Sequence, residues 1–263
     1  VKPVRIILIS EDPFSSSTIK ILLAKDWRTQ IVGTEKSYIE LLKNKIQTKA
    51  VDILLSDSQI SAAKFRNFFV KASNYGSSSA KKVLLLSDIG RRLSRDELSF
   101  WDGGILLKRE IGFSLAWALY YVNKNFWVMT PSIDKLFMQK SMKIPSNNLV
   151  LTDQKSLLPL SKRQKEAVVL SIILGLDHQT LANTMGITKG SSYGLISSIY
   201  EKLEIGKILI GENDIHHYIL NQSNIELTVE QICAMVKNKG TSPINQKTGL
   251  VFHIVTCPKN KNC

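Results

Sequence analysis

Four points in the first 108 residues set polar or charged side chains at the ends of short apolar runs. Ser10-Glu11-Asp12 follows residues 4–9, and Asp57 follows residues 51–55. Ser87 follows Leu84-Leu85-Leu86, and Lys108 follows Gly104-Ile105-Leu106-Leu107. Together these residue types suit phosphoryl chemistry. A carboxylate such as Asp57 can attack phosphorus as a nucleophile. Acids beside it, Glu11 and Asp12, form with it a candidate Mg²⁺ site whose ion would neutralise phosphoryl oxygens. A hydroxyl, Ser87, and an ammonium, Lys108, complete a clamp on those oxygens. One carboxylate at a strand end means little, because polar side chains surface wherever a buried strand stops. The co-occurrence of all four positions, in this order, carries the reading.

The elements that must position these residues follow from periodicity. Residues 4–9, 30–33, 51–55, 82–87 and 104–108 are short and mostly apolar, as strands buried on both faces are. Helical spacing separates them: Ile19, Leu22 and Leu23; residues 38–46; Phe65, Phe68 and Phe69. A further apolar helix closes the series at 115–122. Strand and helix alternate five times, with a Gly-Ser loop at 76–79. That order predicts a doubly wound, flavodoxin-like α/β domain with a five-stranded parallel sheet over residues 1–124. Ligands of such sheets bind at the carboxyl ends of the strands, where the polar residues stand.

These motifs resemble the receiver domains of two-component response regulators. Val51-Asp52-Ile53-Leu54-Leu55-Ser56-Asp57 is similar to the strand that carries the phosphoacceptor, which puts that role on Asp57. Leu84-Leu85-Leu86-Ser87 matches the switch-hydroxyl strand, and Gly104-Ile105-Leu106-Leu107-Lys108 the strand ending in the phosphate-binding lysine. Phe126-Trp127-Val128-Met129-Thr130-Pro131 looks like the segment after the last receiver helix in the NarL type. The chain departs from the family at three points. Aligned on Pro13, the two acids of the first strand become Ser10 and Glu11. Ile105 replaces an aromatic residue that moves on activation, and Arg109 replaces a proline. The resemblance implies a Mg²⁺ cofactor at a weakened site, a sensor histidine kinase as partner, and output through the face of the fourth helix and fifth strand.

A second constellation lies at 159–206. Ser161 has Gln164 three residues on, the spacing of a capping box. Val168, Val169, Ile172 and Ile173 follow at helical spacing before Gly175. Residues 180–185 form a short helix that Gly186 ends, and Thr188 caps the next, which carries Leu195, Ile199 and Leu203. Two short helices across a glycine turn make a helix-turn-helix. Leu160-Ser161-Lys162-Arg163, Leu181-Ala182, Met185-Gly186-Ile187-Thr188 and Ile199-Tyr200-Glu201-Lys202-Leu203 resemble the LuxR/NarL DNA-binding domain, with one extra residue before Gly175. That likeness implies DNA as partner and a homodimer on a palindromic site. The family's basic recognition positions fall here on Tyr193, Leu195 and Ile196 or Ser198. The remaining candidates for DNA contact are Thr188, Lys189, Ser191, Ser192, Tyr193, Ser197 and Lys202, a set rich in hydroxyls and poor in charge.

Bulk properties bound both readings. The 263 residues carry a net charge of +13, which suits an acidic partner. Residues 1–124 hold 20 Lys+Arg against 12 Asp+Glu, whereas 160–206 hold 5 against 4, so the surplus is not on the helical segment. Lys81-Lys82, Arg91-Arg92 and Lys108-Arg109 are basic pairs on the sheet domain. Cys233, Cys257 and Cys263 are three and terminal, unlike a disulfide framework. His253 and Cys257 lie on a strand-like run at 250–255 and make no metal motif, and His216-His217 reads as an exposed pair. A helix is expected at 228–239. The apolar run at 4–9 is too short for a secretory signal, and no stretch reaches the roughly 18–20 residues of a membrane span. A cytoplasmic protein without a membrane partner is expected. No nucleophile–base set stands outside the Asp57 pocket, so no stand-alone enzyme is expected. The domains are then 1–124, a linker with a short helix at 125–158, the helix-turn-helix at 159–206, and an extension at 207–263. Two functions stay open: a DNA-binding transcription regulator controlled by phosphorylation of Asp57, and a phosphorylation-independent pseudo-receiver adaptor working through protein contacts.

Overall fold

The structure is a computed structural model that describes residues 2–24, 26, 28–36, 51–57, 80–88, 101–153, 160–205, 248, 251, 252, 255, 256, 259 and 260. Outside them lie the helices expected at 38–46, near Phe65 and at 228–239, the loop at 76–79, the Arg91-Arg92 and His216-His217 pairs, His253 and the three cysteines. The chain divides into two compact units, the first being 1–153 with 260–262 and the second 154–259 with 263.

The first unit is built on strands β1 Val4–Ile9, β2 Thr29–Glu35, β3 Ile53–Asp57, β4 Lys81–Leu86, β5 Gly104–Leu107, β6 Trp127–Met129 and β7 Asn148–Thr152. The sheet order within this unit is β2-β1-β3-β4-β5-β6-β7. The pairings from β2 through β7 are all parallel. The first five strands fall where the apolar runs place them. β1, β4 and β5 are mainly aliphatic and β3 is buried at every residue, because both faces are covered, whereas the edge strand β2, TQIVGTE, is mostly polar and partly exposed. One face packs Ile7, Leu54, Leu84, Ile105 and Met129 against Ile133 and Phe137.

The five-strand count is corrected by β6 and β7. The segment 125–158, expected to be a linker with a short helix, continues the alternation with β6, a helix at Pro131–Gln139, and β7. Leu149, Val150 and Leu151 are buried like the earlier strands. Their flanking Asn and Thr residues make the segment look polar when it is averaged over 146–153. The join of β5 to β6 depends on Gly104. Its φ is +144°, and a Cβ there would come 2.0 Å from the Val128 carbonyl oxygen.

Four helices of this unit lie among the described residues: α1 Pro13–Ala24, α2 Lys108–Ile111, α3 Leu115–Asn123 and α4 Pro131–Gln139. Asp12 starts α1. Its carboxylate accepts from the N–H groups of Phe14 at 3.0 Å and Ser15 at 3.2 Å, and Pro13 has no N–H to satisfy. In α3, Leu115 through Val122 are all buried.

The second unit holds α5 Lys162–Ala167, a π-helix Val168–Ile173, α6 His178–Met185 and α7 Lys189–Lys202. Ser161 and Gln164 form the expected capping box. Asp177 caps α6 by accepting from Gln179 and Thr180 N–H, and Thr188 caps α7 through Ser191 N–H. Gly186 ends α6 in the left-handed region at φ 63°. The extra residue before Gly175 is taken up by the π-helix, where Leu174 N–H reaches the Val169 carbonyl at 2.9 Å, five residues back. The run at 250–255 is not the expected strand: Val251, Phe252, Val255 and Thr256 are helical, and Thr256 Oγ1 donates to the Phe252 carbonyl at 2.8 Å. A six-residue apolar run fits either element by periodicity alone.

Candidate functional site

Three of the strand-end positions converge. Asp57 is the last residue of β3 and is 3% exposed. Lys108, the first residue of α2, places Nζ 2.5 Å from Asp57 Oδ1. Ser10, just past β1, donates from Oγ to Asp57 Oδ2 at 2.9 Å. Ser15, on the first turn of α1, accepts from Lys108 Nζ at 2.6 Å. Ser10 past β1, Lys108 past β5 and Ser15 at the start of α1 thus meet around one carboxylate at the end of β3, which pairs with β1 directly and is separated from β5 by β4. Burial pushes the Asp57 carboxyl up, yet the bonds from Lys108, Ser15 and Ser10 outweigh it and hold the group below its ordinary value. Ser87 stands exposed just past the carboxyl end of β4, the strand whose Leu85 pairs with Asp57.

The acids expected to share a Mg²⁺ ion do not gather. Glu11 is exposed, and Asp12 spends both carboxylate oxygens on α1. Position 10 offers a neutral hydroxyl that donates to Asp57 instead of a second carboxylate. Among the described residues no group of three His, Cys, Asp or Glu side chains is placed to hold a metal. Mg²⁺ requires near-octahedral oxygen ligands and commonly takes one or two carboxylates. One carboxylate already carrying an ammonium does not fit it.

The short helix α2 ties this cluster to the end of the unit. Glu110 accepts from Ser132 N–H at 3.1 Å and from the Ser132 hydroxyl, so it caps α4. These bonds hold its carboxyl below the ordinary value against the opposing effect of burial. The Glu110 carbonyl accepts from Asp153 N–H at 2.6 Å and Thr152 Oγ1 at 3.1 Å. The Asp153 carboxylate in turn accepts from the N–H groups of Phe113 at 3.2 Å and Ser114 at 2.8 Å. The edge of β5 is occupied by β6. Ile105 pairs with Met129 and is fully buried, so the position where the family has a mobile aromatic is locked in the core.

On α7 the outward face holds Lys189, Ser191, Tyr193, Ser197 and Lys202, with Thr188 exposed just before them. Ser192 is a correction. It is 0% exposed, and its Oγ lies 2.7 Å from the Lys189 carbonyl and 3.0 Å from His178 Nδ1. It joins α7 to α6 and cannot reach a ligand. Lys202 Nζ donates to Gln164 Oε1 at 3.0 Å, and Gln164 Nε2 to Ser198 Oγ at 2.9 Å. Gln164, chosen as a cap, therefore also fixes α7 against α5. Tyr193 is 52% exposed and stacks on His178 at 3.7 Å, a pairing that the sequence spacing did not reveal. Ser15 was likewise missed, since nothing in α1 marks which serine faces the sheet edge.

No protein-family profile matches the chain, and no curated protein matches it. Among solved structures it is similar to response regulators. With the regulator ChrA of a heme-sensing two-component system it shares 18% identity over 78% of this chain and 92% of that one, at a TM-score of 0.43. With the regulator RcsB in a DNA complex it shares 17% over 76% and 92%, at 0.44. With the isolated receiver domain of RcsB from Salmonella enterica serovar Typhimurium it shares 18% over 51% and 98%, at 0.41.

Proposed function

We propose that this chain is a DNA-binding regulator of transcription, in which residues 160–205 hold DNA and the Asp57 pocket sets activity. The observation that carries the first half is the pair α6–α7. Both helices have side-chain caps and a left-handed glycine separates them, while one face of α7 is left uncovered with Lys189, Ser191, Tyr193 and Ser197 upon it. Such a pair lets the second helix enter a major groove while hydroxyls and N–H groups position the backbone. The low charge implies few phosphate contacts and a shallow dependence of affinity on salt. A homodimer would double the contact on a palindromic site.

The pocket half proposes Asp57 as the acceptor of a phosphoryl group from a sensor histidine kinase. One carboxylate oxygen forms the new bond to phosphorus as the bond to the donor nitrogen breaks, and the imidazole leaves with that electron pair. Asp57 stays ionised at neutral pH, as a nucleophile must. Lys108 and the hydroxyls of Ser10, Ser15 and Ser87 are the groups to receive the added charge. The second reading, a pseudo-receiver that acts through protein contacts alone, is favoured by the engagement of both Asp57 oxygens.

Selection from random duplex DNA at low salt tests the first half. An enriched sequence whose binding falls with Lys189→Ala and Tyr193→Ala is expected, and absence of any affinity at low salt would sink it. Treatment with the kinase or a small phosphodonor separates the two pocket readings. An acyl phosphate that Asp57→Asn abolishes rejects the pseudo-receiver.

A further inference from the structure

The charge that holds Asp57 comes from within the chain. Lys108 Nζ sits 2.5 Å from Oδ1 and is fixed on its other side by Ser15 Oγ at 2.6 Å. Ser10 Oγ takes Oδ2 at 2.9 Å and also lies 3.1 Å from the Asp12 carbonyl. A divalent ion bound to Oδ1 would stand against the ammonium, two positive charges within a few ångströms in a buried setting where such repulsion is weakly screened. Moving Lys108 aside would break its bonds to Asp57 and Ser15 together. The other carboxylates nearby offer no relief, because Asp12 is engaged with α1 and Glu11 is exposed.

We propose that the Asp57 pocket is a metal-independent site in which the Lys108 ammonium, fixed by Ser15, occupies the role of the cation and Ser10 excludes a divalent ion by replacing a ligand with a donor. The proposal rests on the reading of Asp57 as the control carboxylate but concerns what that carboxylate binds. Ser10 is the residue that decides the matter. A carboxylate at its position would lie beside Asp57, and the pair would carry one negative charge more than Lys108 can balance. The site would then attract a divalent ion.

The test is a titration of the full-length protein with Mg²⁺ and with Mn²⁺, followed by the thermal midpoint and by calorimetry. The wild type is expected to bind neither ion at millimolar concentration, with its midpoint moving by less than about 1 °C. Ser10→Asp is expected to gain a saturable rise of several degrees that Asp57→Asn removes. Saturable wild-type binding that Asp57→Asn abolishes overturns the proposal, whatever Ser10→Asp does. Phosphorylation by acetyl phosphate, in which the Asp57 oxygen bonds to phosphorus as acetate leaves, run in excess chelator and in Mg²⁺, separates this from the function above. Equal modification in both buffers supports the proposal, and modification at least about tenfold greater with Mg²⁺ overturns it. If neither buffer gives an acyl phosphate while the wild type ignores the ions, the phosphoacceptor reading fails and the metal-independent cage stands.

Discussion

A carboxylate that is 3% exposed persists only because its partners replace the water it lost. Lys108→Met leaves Asp57 without its cation and is expected to cost about 2–3 kcal/mol, below the range for a fully buried pair, because the lysine side chain is 26% exposed. Asp57→Asn/Lys108→Met should recover part of that loss, since no unbalanced charge remains. Urea unfolding of the four proteins of the cycle measures it. The pH dependence has a definite sign. Asp57 is depressed in the folded state, so its contribution is complete above the unfolded value of 3.8 and disappears as pH falls below that toward the folded value. Asp153 runs the other way. Burial raises it in spite of its backbone bonds, so its ionised form counts against the fold and protonation relieves it as pH falls. Acid unfolding of Asp57→Asn should show a shallower limb below the unfolded value, with the part due to Glu110 remaining, whereas Asp153→Asn should keep the full limb. At this scale Asp57 and Lys108 were legible because strand ends announce themselves in sequence. Ser15 was not, because which of three successive serines in α1 meets the sheet is decided by helix rotation against β1 and β2.

Helices 160–205 show how an insertion is accommodated. The π-helix holds one residue more than an α-helix of the same length, and the Ser171 hydroxyl within it is buried without a hydrogen-bond partner among the described residues. Deleting Ser171 removes both, and Ile172 and Ile173 keep their place if the turn tightens. The thermal midpoint of that variant should equal or exceed that of the wild type, and a collapse of the midpoint would contradict this account. Gly190 and Gly194 make a second test. A Cβ at Gly194 meets nothing within 4 Å, and at Gly190 only the Thr188 hydroxyl at 3.9 Å. Each change to Ala should therefore add about 1 kcal/mol to stability. If α7 lies close against DNA, the same two changes should weaken binding, so stability and affinity move in opposite directions. Caps and glycine stops made these helices readable. The strands β6 and β7 were readable too, from Trp127-Val128-Met129 before Thr130-Pro131 and from Leu149-Val150-Leu151 before Thr152-Asp153. Likeness to a five-stranded family hid them, whereas their apolar runs obey the same rule as the first five.

For the molecule as a whole, the added β6–α4–β7 changes which surfaces are available. A receiver with β5 at its edge can use that edge for a partner; here β6 pairs along it and Thr130 Oγ1 accepts from Leu107 N–H at 3.2 Å. Phosphodonor treatment is expected to induce no association through the β5 edge, which β6 occupies, and sedimentation of Gly104→Ala gives the comparison. That variant cannot hold β6 at its present distance, and it should lose roughly 3–4 kcal/mol of stability and associate through the bared strand. If Gly104→Ala were as stable as the wild type and sedimented like it, β6 would not be guarding that edge.

Consider last the single turn α2. Lys108 at its start grips Asp57, and two residues on, Glu110 grips both the head of α4 and the final residues of β7. Asp153, held by the Glu110 carbonyl, is where the first unit ends and the chain departs toward the helical one. A change in what Lys108 holds therefore acts on a turn whose other end fixes Thr152 and Asp153. Faster hydrogen exchange at Thr152 and Asp153 in Lys108→Met, with the rest of β7 unchanged, would be its signature.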